Sequence, residues 1–163
     1  MNLTMGFKSY ISDPYSLLGP DGEVTVGKYC SLAGGITFNC CCNHNPNFIS
    51  TFPHAPGLGH PFFKGNITIG NNVWIGEKVT IMGGVTIHDG AVIGSCTVVT
   101  KDVPPYCLFA GNSGQIKRLR FTEQQIEKLL KIKWWDWPEE KIRINASVLM
   151  SANVDLLEAL NES

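Results

Sequence analysis

A chain of 163 residues is long enough to bury a core of its own and short enough that one main domain is expected. Thirteen basic against fourteen acidic side chains leave a formal charge of -1, so the balance offers no electrostatic basis for gripping nucleic acid or an anionic membrane. No segment approaches a bilayer-spanning apolar run, and residues 1–11 lack the apolar stretch of a signal peptide, so a cytoplasmic protein without membrane insertion is expected.

In chain order, the first regular signal is a short run at Val26-Gly27, Leu32-Ala33 and Phe38-Asn39, apolar residues six apart. It is out of step with a longer run that follows. Residues 40–64 separate the two and hold three of the four histidines and four of the nine prolines. A loop of that length inside a compact fold is usually functional. It opens with Cys40, Cys41 and Cys42, just before His44, which invites a metal reading. Structural zinc sites pair their thiolates as C-x-x-C, however, and that spacing is absent. Cys30, Cys96 and Cys107 stand among apolar neighbours, where free cysteine acts as a small hydrophobe. Reduced, structural thiols and no metal are therefore expected.

The longer run places Ile69, Ile75, Ile81, Ile87, Ile93 and Val99 at an unbroken spacing of six. Each rung closes a triplet such as Val73-Trp74-Ile75 or Val79-Thr80-Ile81, whose side chains alternate as in a short strand. Gly, Asn or Asp follows most rungs, which suits tight bends. A short strand and a bend every six residues describe a parallel β-helix, in which each coil buries its apolar side chains against the next. Trp74 falls in an outward slot, where a large ring marks an interface or a cleft. His88 follows a rung at a bend and is expected at the surface.

Val103-Pro104-Pro105-Tyr106 is expected to end the pattern, because proline cannot donate to a ladder. Helical signals follow. Thr122 and Gln125 have capping-box spacing and Phe121 and Ile126 that of a hydrophobic staple, predicting a helix to about Ile132. A second is expected to open at Pro138 and a last one to hold Val154 to Leu160. The domains expected are thus 1–112, a mainly β coil with its loop at 40–64, and 113–163, a C-terminal α-helical segment packed on it. Trp134, Trp135 and Trp137 are expected in the core between the two.

Taken together, Val26-Gly27-Lys28-Tyr29-Cys30-Ser31, Asn43-His44, Ser50-Thr51-Phe52-Pro53, residues 69–76, residues 98–106 and Trp134-Trp135-Asp136-Trp137-Pro138 resemble the hexapeptide-repeat acyltransferases. The branch is that of the xenobiotic acetyltransferases and their relatives that O-acetylate polysaccharides. The resemblance covers nearly the whole chain. It implies a left-handed parallel β-helix, a homotrimer, and acetyl-CoA bound in the cleft between subunits.

The family's Asn-His base matches His44. Imidazole suits the removal of a hydroxyl proton as the oxygen attacks the thioester carbonyl, and CoA thiolate then leaves. Direct transfer is implied, with no acyl-enzyme. The family's cofactor contacts match Glu77, Ser95, Thr100, Lys101, Gln115 and Arg118, and Lys117 adds a cation suited to a phosphate. Trp74 joins this cofactor set. Two departures stand out: Ser113-Gly114 replaces a usual Pro-Ala, and Gln115 stands where a basic residue is common. Tyr10, Phe48 and His54 are candidate acceptor contacts; many relatives carry Phe at the position of His54.

The activity so implied is O-acetylation of a saccharide or similar small hydroxyl acceptor. N-acetylation of an amino sugar and antibiotic acetylation are the enzymatic alternatives, and a β-helical scaffold subunit the non-enzymatic one. A trimeric zinc carbonic anhydrase of the same architecture is disfavoured, since its His-x-x-x-x-His pair is missing.

Overall fold

A computed structural model describes residues 1–19, 21–40, 44–45, 47–52, 54 and 64–162. The chain divides into two compact units, 1–118 and 119–163. This boundary lies six residues beyond the expected 112/113 division, because Gln115–Leu119 forms a strand beside Cys107–Ala110.

The first unit is a three-faced parallel coil. Its first turn comprises β1 (Asn2–Met5), β2 (Tyr10–Ile11) and β3 (Tyr15–Leu18), and its second β4 (Glu23–Val26), β5 (Ser31–Leu32) and β6 (Ile36–Asn39). The third holds β7 (Ile67–Ile69), β8 (Trp74–Ile75) and β9 (Thr80–Met82), and the fourth β10 (Thr86–Ile87), β11 (Val92–Ile93) and β12 (Val98–Val99). β13 (Cys107–Ala110) and β14 (Gln115–Leu119) complete it. Three sheets result, ordered β1-β4-β7-β10, β14-β13-β11-β8-β5-β2 and β12-β9-β6-β3.

Parallel pairing in register stacks the rungs into columns. Met5, Val26, Ile69 and Ile87 form one, Ile11, Leu32, Ile75, Ile93 and Phe109 a second, and Leu17, Phe38, Ile81 and Val99 a third. From the second turn upward these side chains are all but fully buried. Burying one aliphatic side chain contributes about 1.5–3 kcal/mol, and here the columns of all three faces share one core.

Two sequence expectations need correction. The run Val26, Leu32, Phe38 is in register with the ladder: Val26 pairs with Ile69, and Phe38 with Ile81. Successive turns are 18 residues apart, as from Asn71 to Asp89, whereas Lys28 and Asn71 are 43 apart. The difference, 25 residues, is the inserted loop, and its length is not a multiple of six. Nor does the coil stop at the prolines. Val103 is buried, bridges to Ile87, donates its N–H to the Thr86 carbonyl (2.9 Å) and accepts from the His88 N–H (3.0 Å), while Pro104 and Pro105 lie after it and before β13.

The corners use glycine for proximity. A Cβ at Gly70 would lie 2.8 Å from the Asp89 nitrogen, and one at Gly76 2.7 Å from the Ser95 nitrogen. Positive φ is taken two residues further on by Asn72 (53°) and Lys78 (56°), and one turn above Lys78 by Cys96 (59°). Corner N–H groups are satisfied from the next turn: Asn71 Oδ1 accepts from Lys28 (2.8 Å), and Asp89 Oδ1 from Asn71 (2.6 Å).

The second unit holds α1 (Glu123–Ile132), a 3-10 turn at Trp134–Asp136, α2 (Glu139–Ile144), α3 (Ala146–Leu149) and α4 (Val154–Glu162). The capping box forms, with Thr122 Oγ1 accepting from the Gln125 N–H and the Gln125 side chain accepting from the Thr122 N–H. Pro138 is the N-cap of α2 and precedes its first turn. Ile126, Leu129, Ile132, Trp135, Val154 and Leu157 are buried, and Lys128 reaches both Asp155 (2.9 Å) and Glu158 (2.6 Å) on α4. Trp137 donates to Asn161 Oδ1 (2.9 Å) and packs under the Lys141 ammonium. Among the described residues no helix is long and apolar enough to cross a membrane.

Candidate active site

The inserted loop leaves the coil at a pinned base. The Lys64 N–H donates to the Cys40 carbonyl (3.1 Å), which joins the two feet of the loop, and Asn39 and Cys40 are held by the Gly83 N–H (2.8 Å) above and the Leu18 carbonyl (3.1 Å) below. Between these feet stands His44, exposed, with its Nδ1 hydrogen-bonded to the Thr51 carbonyl. A carbonyl only accepts, so Nδ1 carries the proton and Nε2 keeps the lone pair. That is the tautomer a general base at Nε2 requires.

A second imidazole lies on the same stretch. His54 Nε2 is 2.8 Å from Ser50 Oγ, and its ring meets that of Phe52 edge-on, centroids 5.2 Å apart. Phe48 is exposed on this loop; Cys41, Cys42, Asn43 and Pro53 lie outside the described residues. The role of Thr51 leaves no side-chain signal, because a backbone carbonyl supplies it. In the sequence, only the Ser50-Thr51-Phe52-Pro53 motif marks the segment.

The expected cofactor residues gather in two groups at the coil's upper turns. Ser95 stands one turn above Glu77 and its Oγ accepts the Glu77 N–H (3.2 Å). Lys101 Nζ donates to Gln115 Oε1 (3.2 Å), and Lys117 Nζ comes within 3.7 Å of where a Gly111 Cβ would be. Thr100, Lys101, Gln115, Lys117 and Arg118 are all exposed. Buried Thr97 braces this end, donating to the Gly94 carbonyl (2.6 Å) and accepting from the Gly111 N–H (3.2 Å). Trp74 projects from the middle of an outward row in which Tyr10, Ser31, Trp74, Val92 and Leu108 are successive partners. Trp74 is 57% and Tyr10 59% exposed.

The cysteines split, against expectation. Cys30, Cys40 and Cys107 are buried, but Cys96, the left-handed corner residue after Ser95, is exposed. Burial pushes the Cys30 and Cys107 thiols above the usual range. A thiol reagent at pH 8 is therefore expected to modify Cys96 well ahead of Cys30 and Cys107, read by peptide mass mapping. Equal labelling of all three would contradict the burial. Among the described residues no three His, Cys, Asp or Glu side chains come together as a metal-holding group.

The family model described as Bacterial transferase hexapeptide (six repeats) matches residues 66–101. A chloramphenicol acetyltransferase of Agrobacterium fabrum is 37% identical, the match covering 96% of this chain and 86% of that protein. A probable macrolide acetyltransferase of Lysinibacillus sphaericus is also 37% identical, covering 96% of this chain and 91% of the relative. Among solved structures, a galactoside acetyltransferase in complex with coenzyme A aligns with a TM-score of 0.56 and 29% identity, over 74% of this chain and 65% of that one.

Proposed function

The chain belongs to the hexapeptide-repeat acetyltransferases, and we propose from that premise that it moves the acetyl group of acetyl-CoA onto a hydroxyl, with His44 as general base. Acetyl-CoA as donor follows from the family. The observation that carries the rest is the His44 ring, whose Nδ1 proton is committed to the Thr51 carbonyl. Nε2 takes the acceptor's hydroxyl proton as the oxygen attacks the thioester carbonyl. The C–S bond then breaks and the thiolate leaves, taking the proton from the imidazolium.

The residues at the upper turns suit the donor. Cations at Lys101, Lys117 and Arg118 pair with phosphates, and Glu77, Ser95, Thr100 and Gln115 border the arm, with Trp74 offering an apolar wall. In this reading the coil is left-handed, three copies assemble, and each cleft between copies completes one site.

For the acceptor, a hydroxyl is the chemistry common to the chloramphenicol, macrolide and galactoside enzymes named above. A saccharide hydroxyl is our first choice. Tyr10 and Phe48 present exposed rings of the kind that pack on sugar faces. Thiol release from acetyl-CoA, followed over a galactoside, maltose, a macrolide and chloramphenicol, tests the assignment. The labelling experiment adds the donor site: acetyl-CoA should protect Cys96, one residue past Ser95, from the reagent. No thiol release with any hydroxyl acceptor would overturn the activity, and unprotected Cys96 in the presence of saturating acetyl-CoA the donor site.

A further inference from the structure

We propose that His54 is a positioning residue for His44, acting through the Ser50 hydroxyl and one peptide plane. The inference rests on the assignment of His44 as the base.

The geometry is a relay of three contacts. His54 Nε2 lies 2.8 Å from Ser50 Oγ. Ser50 Oγ also accepts from the Phe52 N–H at 3.2 Å. The Thr51 carbonyl accepts from His44 Nδ1. The second and third contacts are made by opposite ends of a single amide, because the Thr51 C=O and the Phe52 N–H belong to the same peptide unit.

A trans peptide is planar, with its N–H and C=O pointing in opposite directions. Fixing the Phe52 N–H on Ser50 Oγ therefore fixes the direction of the Thr51 C=O, and with it the His44 ring. Ser50 has one hydroxyl proton and two lone pairs. With that proton donated to His54 Nε2, a lone pair is directed at Phe52, and the amide is held from one side. Without an acceptor at position 54 the hydroxyl rotates freely and the plane can tip.

The two imidazoles thus have opposite duties at Nε2. In the proposed arrangement that of His54 accepts the Ser50 hydroxyl, whereas that of His44 accepts a proton once per turnover. Phenylalanine can keep the edge-on contact with Phe52 but cannot accept from Ser50.

The test compares His54→Phe, His54→Gln and Ser50→Ala in the full-length protein. His54→Phe is expected to lower kcat by up to about a hundredfold, as a small misplacement of a catalytic group does, with KM for acetyl-CoA unchanged. His54→Gln, whose amide oxygen accepts at a reach close to that of Nε2, should restore most of the rate. Ser50→Ala should match His54→Phe, and the double variant should be no slower than either.

Nitrogen NMR of the His44 ring gives a readout independent of turnover: the Nδ1–H tautomer dominates in the wild type and loses population in His54→Phe. Wild-type kcat in His54→Phe would overturn the proposal, as would an unchanged His44 tautomer in that variant, or His54→Gln as slow as His54→Phe. So would an acetyl adduct on Ser50 after incubation with acetyl-CoA alone, which would make Ser50 a nucleophile. A wild type that releases no thiol with any hydroxyl acceptor defeats the function assignment itself, a result distinct from an active wild type with indifferent variants.

Discussion

Replacing His44 by alanine is expected to lower the rate of acetyl transfer by about a hundred- to ten-thousandfold while acetyl-CoA still binds, the range a positioned general base contributes. The expectation follows from the hydrogen bond between Nδ1 and the Thr51 carbonyl, which selects the tautomer with its lone pair on Nε2. The residues proposed for the donor, Glu77, Ser95 and Lys101, lie on the coil, in a different segment from His44, so their geometry does not depend on the imidazole. The measurement is a pair: thiol release under saturating donor and acceptor, and acetyl-CoA binding by calorimetry. Turnover unchanged in His44→Ala would remove the base assignment. Loss of donor binding together with turnover would move His44 into the cofactor site.

The second large effect concerns the scaffold. Phe38→Ala should cost about 3–5 kcal/mol, the range for deleting a buried aromatic ring, out of a total of the order of 5–15 kcal/mol for a folded domain. Phe38 is 0% exposed and sits between Leu17 and Ile81 in one column. A cavity there weakens the column that couples the turns on either side of the loop. Phe48→Ala, at an exposed ring on the loop, should stay within about 0.5 kcal/mol. Urea midpoints of the two variants compare them directly, and equal shifts would mean that the columns do not carry the stability.

What the amino-acid sequence disclosed depended on whether a signal repeated. Ile69 to Val99 announced the coil because six rungs keep one period. Met5, Ile11 and Leu17 keep the same period and form the lowest turn, yet passed unnoticed: varied side chains in mixed company make a faint pattern. Val26, Leu32 and Phe38 were visible as a run, but their register with the ladder was hidden by a loop whose length breaks the count. Cys96 looked like Cys30 and Cys107 in local composition. What separates them is their place in the coil: Cys96 stands at a left-handed corner, whereas Cys30 and Cys107 belong to the inward-packed segments.

At the site, the Asn-His motif singles out His44 as the expected base, and the pairs Glu77–Ser95 and Lys101–Gln115 are neighbours in space. Thr51 was not legible, for a physical reason. The group that orients His44 is an amide oxygen, which every residue possesses, so side-chain identity carries no trace of it.

The clasp between Lys64 and Cys40 has one further consequence. Because the second and third turns pair with each other directly, and Lys64 and Cys40 meet in a 3.1 Å hydrogen bond, the frame is continuous across the insertion. Closing a longer loop between fixed feet adds only about 0.6 kcal/mol per doubling of its length. The stretch between Cys40 and Lys64 can therefore be rewritten or lengthened with the columns beneath it left as they are.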